Sequence, residues 1–385
     1  MRNLFTKPLV GMTLVLISGL SSAWAADEAD LYGEHLLPRE TRLMFSIPSV
    51  ADLVEAGGES SLGEMLADPA FQPIIDQIKE KLAEASDKMK AESGLSLEDL
   101  GKLMQGEVTF AIVEKPARKL HAILMVEYGD HQDTVDGLLE KLNGALTAGG
   151  AEQKTETISE VEVQVFEFPK TDELPYNKVA YFAEEGYFVI SSDLAPIKAV
   201  IERWEGGSAE TLAKDEVFAY IMEKCSTEDA EPAVKWFIDP IALVKGGIGM
   251  VQAQNPQAGM VLGFLPVLGL DALKGIGGGF DLGAGNFDSV QKTFIYAEQP
   301  PTAVLGVFQF PAIAQQPPKW VGADATMYMG VNWNVAEAYL AVESIVDSFL
   351  GPGATAKTLE DFSAAEDGPM VHPKTDLLDN IEGRM

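Results

Sequence analysis

Two apolar runs on either side of a short polar segment constrain the fold more than any other feature of this chain. Residues 108–113 and 120–126 consist largely of Val, Ile, Leu, Ala, Phe and Met, and the segment between them contains Pro116. Two such runs joined by a short turn predict an antiparallel β-hairpin. Similar patterns predict further strands at 41–47, 161–168, 179–183 and 187–191. Paired in this way, the strands form antiparallel sheets and not a doubly wound parallel sheet.

Helical periodicity fills the segments between these strands. Apolar residues from Phe71 to Met89 recur every three or four positions, which predicts a long amphipathic helix whose apolar stripe belongs to the core. Shorter helices are predicted around Leu100, Leu142 and Val200. We therefore expect an α+β protein, with antiparallel sheets built from β-hairpins and helices packed on one face.

The predicted elements also suggest an irregular internal repeat. A strand that breaks directly into a helix is predicted near Phe45, near Trp236 and near Tyr328. The alternative is chance, because strand-to-helix turns are common and the spacing of the three is unequal. With the repeat, the chain divides into a signal peptide (1–25), a first α+β unit (26–225), a second α+β unit (226–318) and the start of a third, incomplete unit (319–385).

The third unit is predicted to contain little more than a strand at 325–331 and a helix that begins near Val335. One strand and one helix cannot bury their apolar faces without further sheet. We therefore expect the chain to be a fragment of a longer reading frame that continues past Met385. The alternative is a natural terminus whose last helix docks on the preceding sheet.

The first residues have the pattern of an export signal. Arg2 and Lys7 precede a short apolar run at 9–20, and Ala23 and Ala25 supply the small residues that signal peptidase recognises. The pattern predicts cleavage near Ala25, transport to the periplasm or the outside, and no transmembrane anchor after cleavage. An uncleaved anchor is the alternative, although the run is short for a membrane span.

Charge and cysteine content exclude several classes of protein. The chain has 28 Lys and Arg against 59 Asp and Glu, a net charge of −31. Such a charge repels phosphate, so we expect binding neither to nucleic acid nor to anionic lipid. Cys225 is the single cysteine, which excludes an intrachain disulfide, and we expect it to be a small buried helix residue.

The motifs that could support catalysis are weak. Ser289 and Lys292 have a Ser-x-x-Lys spacing, but on a predicted strand they point to opposite faces. The glycine-rich segment 275–279 is predicted to precede a strand, so it lacks the geometry of a phosphate-binding loop. Asp281 and Asp288 suit turn chemistry better than a calcium loop. The four histidines are scattered, although two lie near one hairpin: His35, His121, His131 and His372. We assign no catalytic, cofactor-binding or metal-binding residue.

Residues 241–270 are the most apolar part of the chain after the signal segment. Glycine, proline and polar residues interrupt the run, so it does not predict a spanning helix. The preferred interpretation is two helices packed over a sheet. The alternative is an adaptable surface for an apolar ligand or an envelope protein, near Met250, Met260 and Phe264.

The opening of the chain resembles a group of large exported bacterial proteins that carry a domain of unknown function. The similarity consists of Leu37-Pro38, the strand pattern at 41–47, the following helix pattern and Asp68-Pro69. It covers about the first third of the chain and recurs weakly near Ala325. The resemblance implies export and an α+β fold, and it transfers no site residue.

Two functions follow from these observations. The first is an exported, acidic protein with a non-catalytic binding role or a role in the cell envelope, and it is favoured because no motif converges on a reaction. The alternative is a secreted hydrolase or a hydrophobic-ligand-binding protein, with a site built from dispersed acidic residues.

Overall fold

The computed structural model describes residues 33–381, except for 94–95, 105, 116–118, 171–175, 205–209, 227–231, 253–254, 284–286, 313–315, 326 and 366–369. The signal segment at 1–25 and Pro116 in the predicted hairpin turn lie outside the described residues.

The strands are β1 (Thr41–Ile47), β2 (Val108–Glu114), β3 (Leu120–Glu127), β4 (Glu152–Ile158), β5 (Val161–Glu167), β6 (Lys178–Glu184), β7 (Tyr187–Ser191), β8 (Val234–Ile238), β9 (Leu273–Leu282) and β10 (Ser289–Ala297).

The α-helices are α1 (Gly33–Leu36), α2 (Val50–Glu59), α3 (Ser61–Ala67), α4 (Gln72–Ser93), α5 (Leu97–Leu103), α6 (Gln132–Ala148), α7 (Leu194–Trp204), α8 (Glu216–Cys225), α9 (Pro240–Val251), α10 (Phe264–Val267), α11 (Ala303–Val307), α12 (Val335–Leu350) and α13 (Ala354–Ala364). Two 3₁₀ helices used below span Pro69–Phe71 and Pro256–Gly263.

One ten-stranded sheet has the order β10-β9-β8-β1-β2-β3-β7-β6-β5-β4. The predicted hairpin is present, since β2 pairs antiparallel with β3 from Val108 opposite Val126 to Glu114 opposite Leu120. β1 lies between β2 and β8 and is antiparallel to both. The centre of the sheet therefore joins segments that are far apart in the sequence.

Helices pack on both faces of this sheet. Phe45 of β1 and Phe188 of β7 lie in one core with side chains from α2 and α6. Val189, the next residue of β7, points to the opposite face and pairs with Phe182 of β6. The Phe182 ring contacts Trp204 of α7 edge to face, with 6.1 Å between ring centroids. The α+β class is confirmed, with the refinement that the helices cover two faces and not one.

The described residues form two compact units. Unit 1 contains the described residues of Met1–Met250 together with Gly275–Ile295, and it holds most of the sheet. Unit 2 contains Val251–Lys274 and the described residues of Tyr296–Met385. These limits differ from the predicted boundaries after residues 225 and 318, because β8 pairs with β1 and extends the first sheet.

Unit 2 is built around a helix pair. A Cβ placed on Gly306 of α11 would lie 3.0 Å from the Cβ of Ala341 in α12, so the two helices approach closely. The indole Nε1 of Trp333 donates a hydrogen bond to the carbonyl of Val307 at 2.7 Å. The helix predicted from Val335 is present and ends at Leu350, with Gly351 as its C-cap.

The predicted strand at 325–331 is wrong, since the described residues of this segment form no strand. A strand needs a neighbour for its backbone hydrogen bonds, and Met327 and Met329 are exposed by 82% and 79%. The internal repeat is accordingly not confirmed. Its first two members exist as β1 followed by α2 and β8 followed by α9, but the third lacks its strand.

The long amphipathic helix is confirmed as α4, but its stripe is not core throughout. Ile74 and Ile78 are exposed by 52% and 43%. The periodicity predicted the helix and its apolar face correctly. Burial of that face requires another helix or strand to pack against it, and the sequence pattern does not identify one.

The glycine-rich segment lies inside β9, because the strand runs close to its neighbours. A Cβ on Gly277 would lie 2.8 Å from the carbonyl oxygen of Trp236 in β8 and 2.7 Å from Ile221 in α8. Real Cβ atoms do not approach other heavy atoms so closely. Glycine therefore allows α8 to pack directly on this part of the sheet.

Replacing Gly277 by alanine should lower the free energy of unfolding by about 1–3 kcal/mol, because the new methyl group forces the strand or the helix to shift. Urea unfolding followed by circular dichroism measures the change. Gly247→Ala is the matched control, since nothing lies within 4 Å of its Cβ position in α9, and there alanine should stabilise the helix by up to about 1 kcal/mol. Equal stability of the Gly277→Ala variant and the natural protein would contradict the packing argument.

Candidate functional site

A buried cluster of polar and charged side chains lies at the centre of the unit 1 sheet. Ser46 of β1 is opposite both Thr109 of β2 and Lys235 of β8, so these three residues form one row across the sheet. Glu34 of α1 and Glu107, which directly precedes β2, complete the group. All five residues are exposed by 8% or less. We call them the buried polar cluster.

Short contacts connect the members of the buried polar cluster. Lys235 Nζ lies 2.5 Å from Glu34 Oε1. Glu107 Oε1 accepts a hydrogen bond from the backbone amide of Gly33 at 2.6 Å and lies 2.6 Å from the Thr109 hydroxyl. That hydroxyl is also 2.7 Å from the Ser46 hydroxyl. The cluster thereby attaches α1 to three strands through one ion pair and one carboxyl group.

The two carboxyl groups are incompletely satisfied. Among the described residues, neither Glu34 Oε2 nor Glu107 Oε2 has a hydrogen-bond partner. Burial raises the pKa of Glu107 from 4.5 to about 7, while the Thr109 hydroxyl and the Gly33 amide oppose that rise. The nearby Glu34 raises this pKa further, and Lys235 lowers it. Glu107 therefore exchanges a proton near neutral pH, although it is surrounded by protein.

A carboxyl group with a pKa near 7 is suited in principle to acid–base chemistry. A reacting substrate must reach it, however, and the Glu107 residue is only 2% exposed. The geometry instead suits a structural role, in which a lysine and a carboxyl group fix α1 to the sheet. Charged groups of this kind destabilise a fold severely when one partner is removed.

The sequence analysis missed this cluster, and only part of it has a local signal. Lys235 interrupts an otherwise apolar strand, where a lysine must find a partner. Glu34 and Glu107 are two of 59 acidic residues, and no spacing distinguishes them. Only the pairing of β1 with β2 and β8 shows that they meet.

The structure separates the residues that the sequence analysis considered for catalysis or metal binding. Ser289 and Lys292 lie on β10, as predicted, and Lys292 Nζ donates to the carbonyl of Ser226 at 2.6 Å. Asp281 accepts from the amide of Ala233 at 3.0 Å, whereas Asp288 accepts from the amide of Ser61 at 2.6 Å. Lys292, Asp281 and Asp288 thus each bind the backbone of a segment that is distant in the sequence.

The histidines do not converge either. His121 lies near the start of β3, whereas His131 follows its end and directly precedes α6. His121 is buried, its ring centroid is 5.6 Å from that of Tyr176, and burial lowers its pKa. Within the described residues, no three His, Cys, Asp or Glu side chains come together to hold a metal ion.

Cys225 is the buried helix residue that was predicted, at the end of α8. Burial is the main cause that raises the pKa of its thiol. The thiolate, which is the reactive form, is therefore disfavoured.

The described residues of the apolar stretch at 241–270 are mostly helical, and their side chains are divided between core and surface. Ile241 and Leu265 are buried, while Met260 and Phe264 are exposed by 63% and 46%. The Phe264 ring lies 5.7 Å from the ring of Phe349 in α12. The described residues of the stretch thus form helices, as the preferred interpretation predicted, while the surface for an apolar ligand or an envelope protein stays a prediction.

Met250 belongs to unit 1, so it is considered apart from Met260 and Phe264 of unit 2. Its sulfur lies 3.8 Å from the hydroxyl of Tyr176, and that hydroxyl also donates to the carbonyl of Leu120. Met250 therefore contributes to packing around β3. Met260 and Phe264 remain as the candidate apolar contact site.

No helix in the described part of the chain combines the length and apolarity that a membrane crossing requires. Comparison with protein-family models, with curated proteins and with solved structures finds no match to this chain. The resemblance of the opening segment to exported bacterial proteins stays a prediction.

Proposed function

We propose that this protein is an exported, non-catalytic binding protein of the cell envelope, and that unit 2 holds a contact site for an apolar ligand or an envelope protein. The observation that carries the proposal is the exposure of Met260 and Phe264 within the most apolar stretch of the described chain. Large apolar side chains grouped on a surface mark interaction sites. The basic and apolar pattern of residues 1–20, followed by Ala23 and Ala25, supports export.

The side chains around this site suit binding by apolar contact. Val261 and Val267 are exposed beside Met260 and Phe264. Methionine is unbranched and polarisable, and it adapts to ligands of different shape. The aromatic contact between Phe264 and Phe349 stabilises the position of the Phe264 side chain.

The alternative function, a hydrolase with dispersed acidic residues, has one supporting observation, the pKa of about 7 at Glu107. The burial of that carboxyl group favours a structural role instead. A binding function needs only side chains that are already exposed. A hydrolase would need the buried polar cluster to become accessible to a substrate.

The variant Met260→Ser/Phe264→Ser should reduce the affinity for the neutral apolar fluorophore N-phenyl-1-naphthylamine by about tenfold, since each exchange removes a large part of the apolar contact area. Fluorescence titration measures the affinity. The control Val244→Ser/Ile295→Ser exchanges two exposed apolar side chains of unit 1 and should leave the affinity unchanged. Equal affinity in both variants and the natural protein would contradict the proposed site.

A further inference from the structure

A second apolar surface lies on unit 1, on two consecutive helices. Leu62, Met65 and Leu66 of α3 and Ile74 and Ile78 of α4 are exposed by 37% to 55%. The three α3 residues follow the i, i+3, i+4 spacing that places side chains on one helical face, and the two α4 residues are spaced i, i+4. We call these five residues the α3–α4 surface.

The two helices that form the α3–α4 surface adjoin each other. The 3₁₀ helix Pro69–Phe71 connects them, and the Asp68 carboxylate caps this turn by accepting from the amide of Ala70 at 2.8 Å. Residues of α3 also contact residues of α4 directly. The apolar stripes therefore lie on neighbouring helices with a fixed connection.

Acidic residues outnumber basic ones around the α3–α4 surface. Between Val50 and Ile78 the chain has no lysine or arginine, and its acidic residues are Asp52, Glu55, Glu59, Glu64, Asp68 and Asp76. All six are exposed. None of the ion pairs in the described part of the chain involves any of these six residues. Lys79 and Lys81 follow Ile78 in α4 and are also exposed, so the apolar side chains are accompanied by a net negative charge and not by acidic residues alone.

We propose that the α3–α4 surface binds a basic amphipathic helix of a partner protein, with apolar residues on one side and Lys or Arg along the edges. The proposal rests on the binding function proposed above and adds a second contact site with a defined partner chemistry. An amphipathic helix provides apolar side chains at i, i+3, i+4 and i+7, which can cover the leucine, methionine and isoleucine side chains. Its basic edges would meet the six carboxylates, which favours association and selects the partner.

Charge argues against the other occupants of such a surface. A second copy of this chain would bring the same six carboxylates into the contact, and like charges oppose that association. An anionic bilayer is repelled for the same reason. A basic helix satisfies both the apolar side chains and the charge.

The test uses the full chain without residues 1–25 and a synthetic helical peptide of roughly 18 residues, with leucine on one face and lysine along both edges. Fluorescence anisotropy should show binding that weakens as salt is added. Two comparison peptides carry glutamate in place of lysine, or the same residues in scrambled order without an apolar face. Each should bind about tenfold more weakly or worse.

Variants of the protein separate this site from general attraction to an acidic chain. Ile74→Ser and the pair Glu64→Gln/Asp76→Asn should each weaken peptide binding about fivefold, and the pair should also reduce the salt dependence. The controls are Ile295→Ser and Glu152→Gln, an exposed apolar and an exposed acidic residue elsewhere in unit 1. Equal losses in the controls would overturn the proposal, because they would show non-specific attraction.

Amide hydrogen exchange locates the contact. Protection of residues 61–78 by the lysine peptide supports the proposal, and protection elsewhere or none overturns it. Protection of residues 61–78 by phosphatidylcholine vesicles, which carry no net charge, but not by the peptide would identify a membrane contact. Self-association of the protein that Ile74→Ser abolishes would identify a contact between two copies of this chain. Either result overturns the proposal. If the peptide fails to bind while the apolar fluorophore still requires Met260 and Phe264, the α3–α4 proposal fails alone.

Discussion

Replacing Lys235 by methionine should lower the free energy of unfolding by about 3–5 kcal/mol near neutral pH, because the exchange leaves the buried Glu34 carboxylate without its cation. Lys235 Nζ lies 2.5 Å from Glu34 Oε1, and both side chains are almost fully buried. Urea unfolding followed by circular dichroism measures the loss. Hydrogen exchange of β1 assigns the transition to unit 1.

Two further variants test whether the ion pair is the cause. Glu34→Gln combined with Lys235→Met should recover most of the lost stability, since the second exchange removes the isolated charge. Lys102→Met breaks an exposed ion pair with Glu98 within α5 and should change the stability very little. A loss of less than about 1 kcal/mol in Lys235→Met would show that the pair is not important for the fold.

Replacing Glu107 by glutamine should remove a loss of stability that the natural protein suffers as the pH rises. The pKa of Glu107 is about 7 in the folded protein, above the ordinary value of 4.5. The folded state therefore binds this proton more tightly than the unfolded state, and the resulting stability is present below about pH 4.5 and lost as the pH rises through about 7. The shift of the pKa corresponds to about 3 kcal/mol.

The measurement compares the natural protein with Glu107→Gln by urea unfolding from about pH 4.5 to about pH 8. Other acidic groups titrate in both proteins, so the difference between the two free energies isolates Glu107. That difference should move in favour of the glutamine variant by up to about 3 kcal/mol as the pH rises. A constant difference across this range would mean that Glu107 is already ionised throughout and that burial does not perturb it.

The sequence predicted many elements of unit 1, because apolar alternation and helical periodicity are local properties, but it missed β4, whose side chains are almost all exposed. The hairpin of β2 and β3, the long helix α4 and the burial of Cys225 follow from residues that are close together in the chain. The irregular segment at 325–331 shows the limit of such patterns. Its apolar residues suit a strand, but a strand forms only where another strand can pair with it.

The buried polar cluster could not be predicted, because its residues meet only when the sheet has its final order. Ser46, Thr109 and Lys235 share a row through the pairing of β1 with β2 and β8. The exposure of Ile74 and Ile78 was missed for the same reason, since periodicity identifies an apolar face but not what covers it. Non-local pairing decides both.

The position of β1 between β2 and β8 has a consequence for how the chain folds as it emerges from the ribosome. β1 ends at Ile47 and its neighbour β8 begins only at Val234, so β1 keeps one unpaired edge until the β8 segment has emerged. Such an edge can pair with another chain and lead to aggregation. Strands joined over long sequence separations also fold slowly. Unit 1 therefore completes its centre late, and its newly made chain exposes a strand edge during that time.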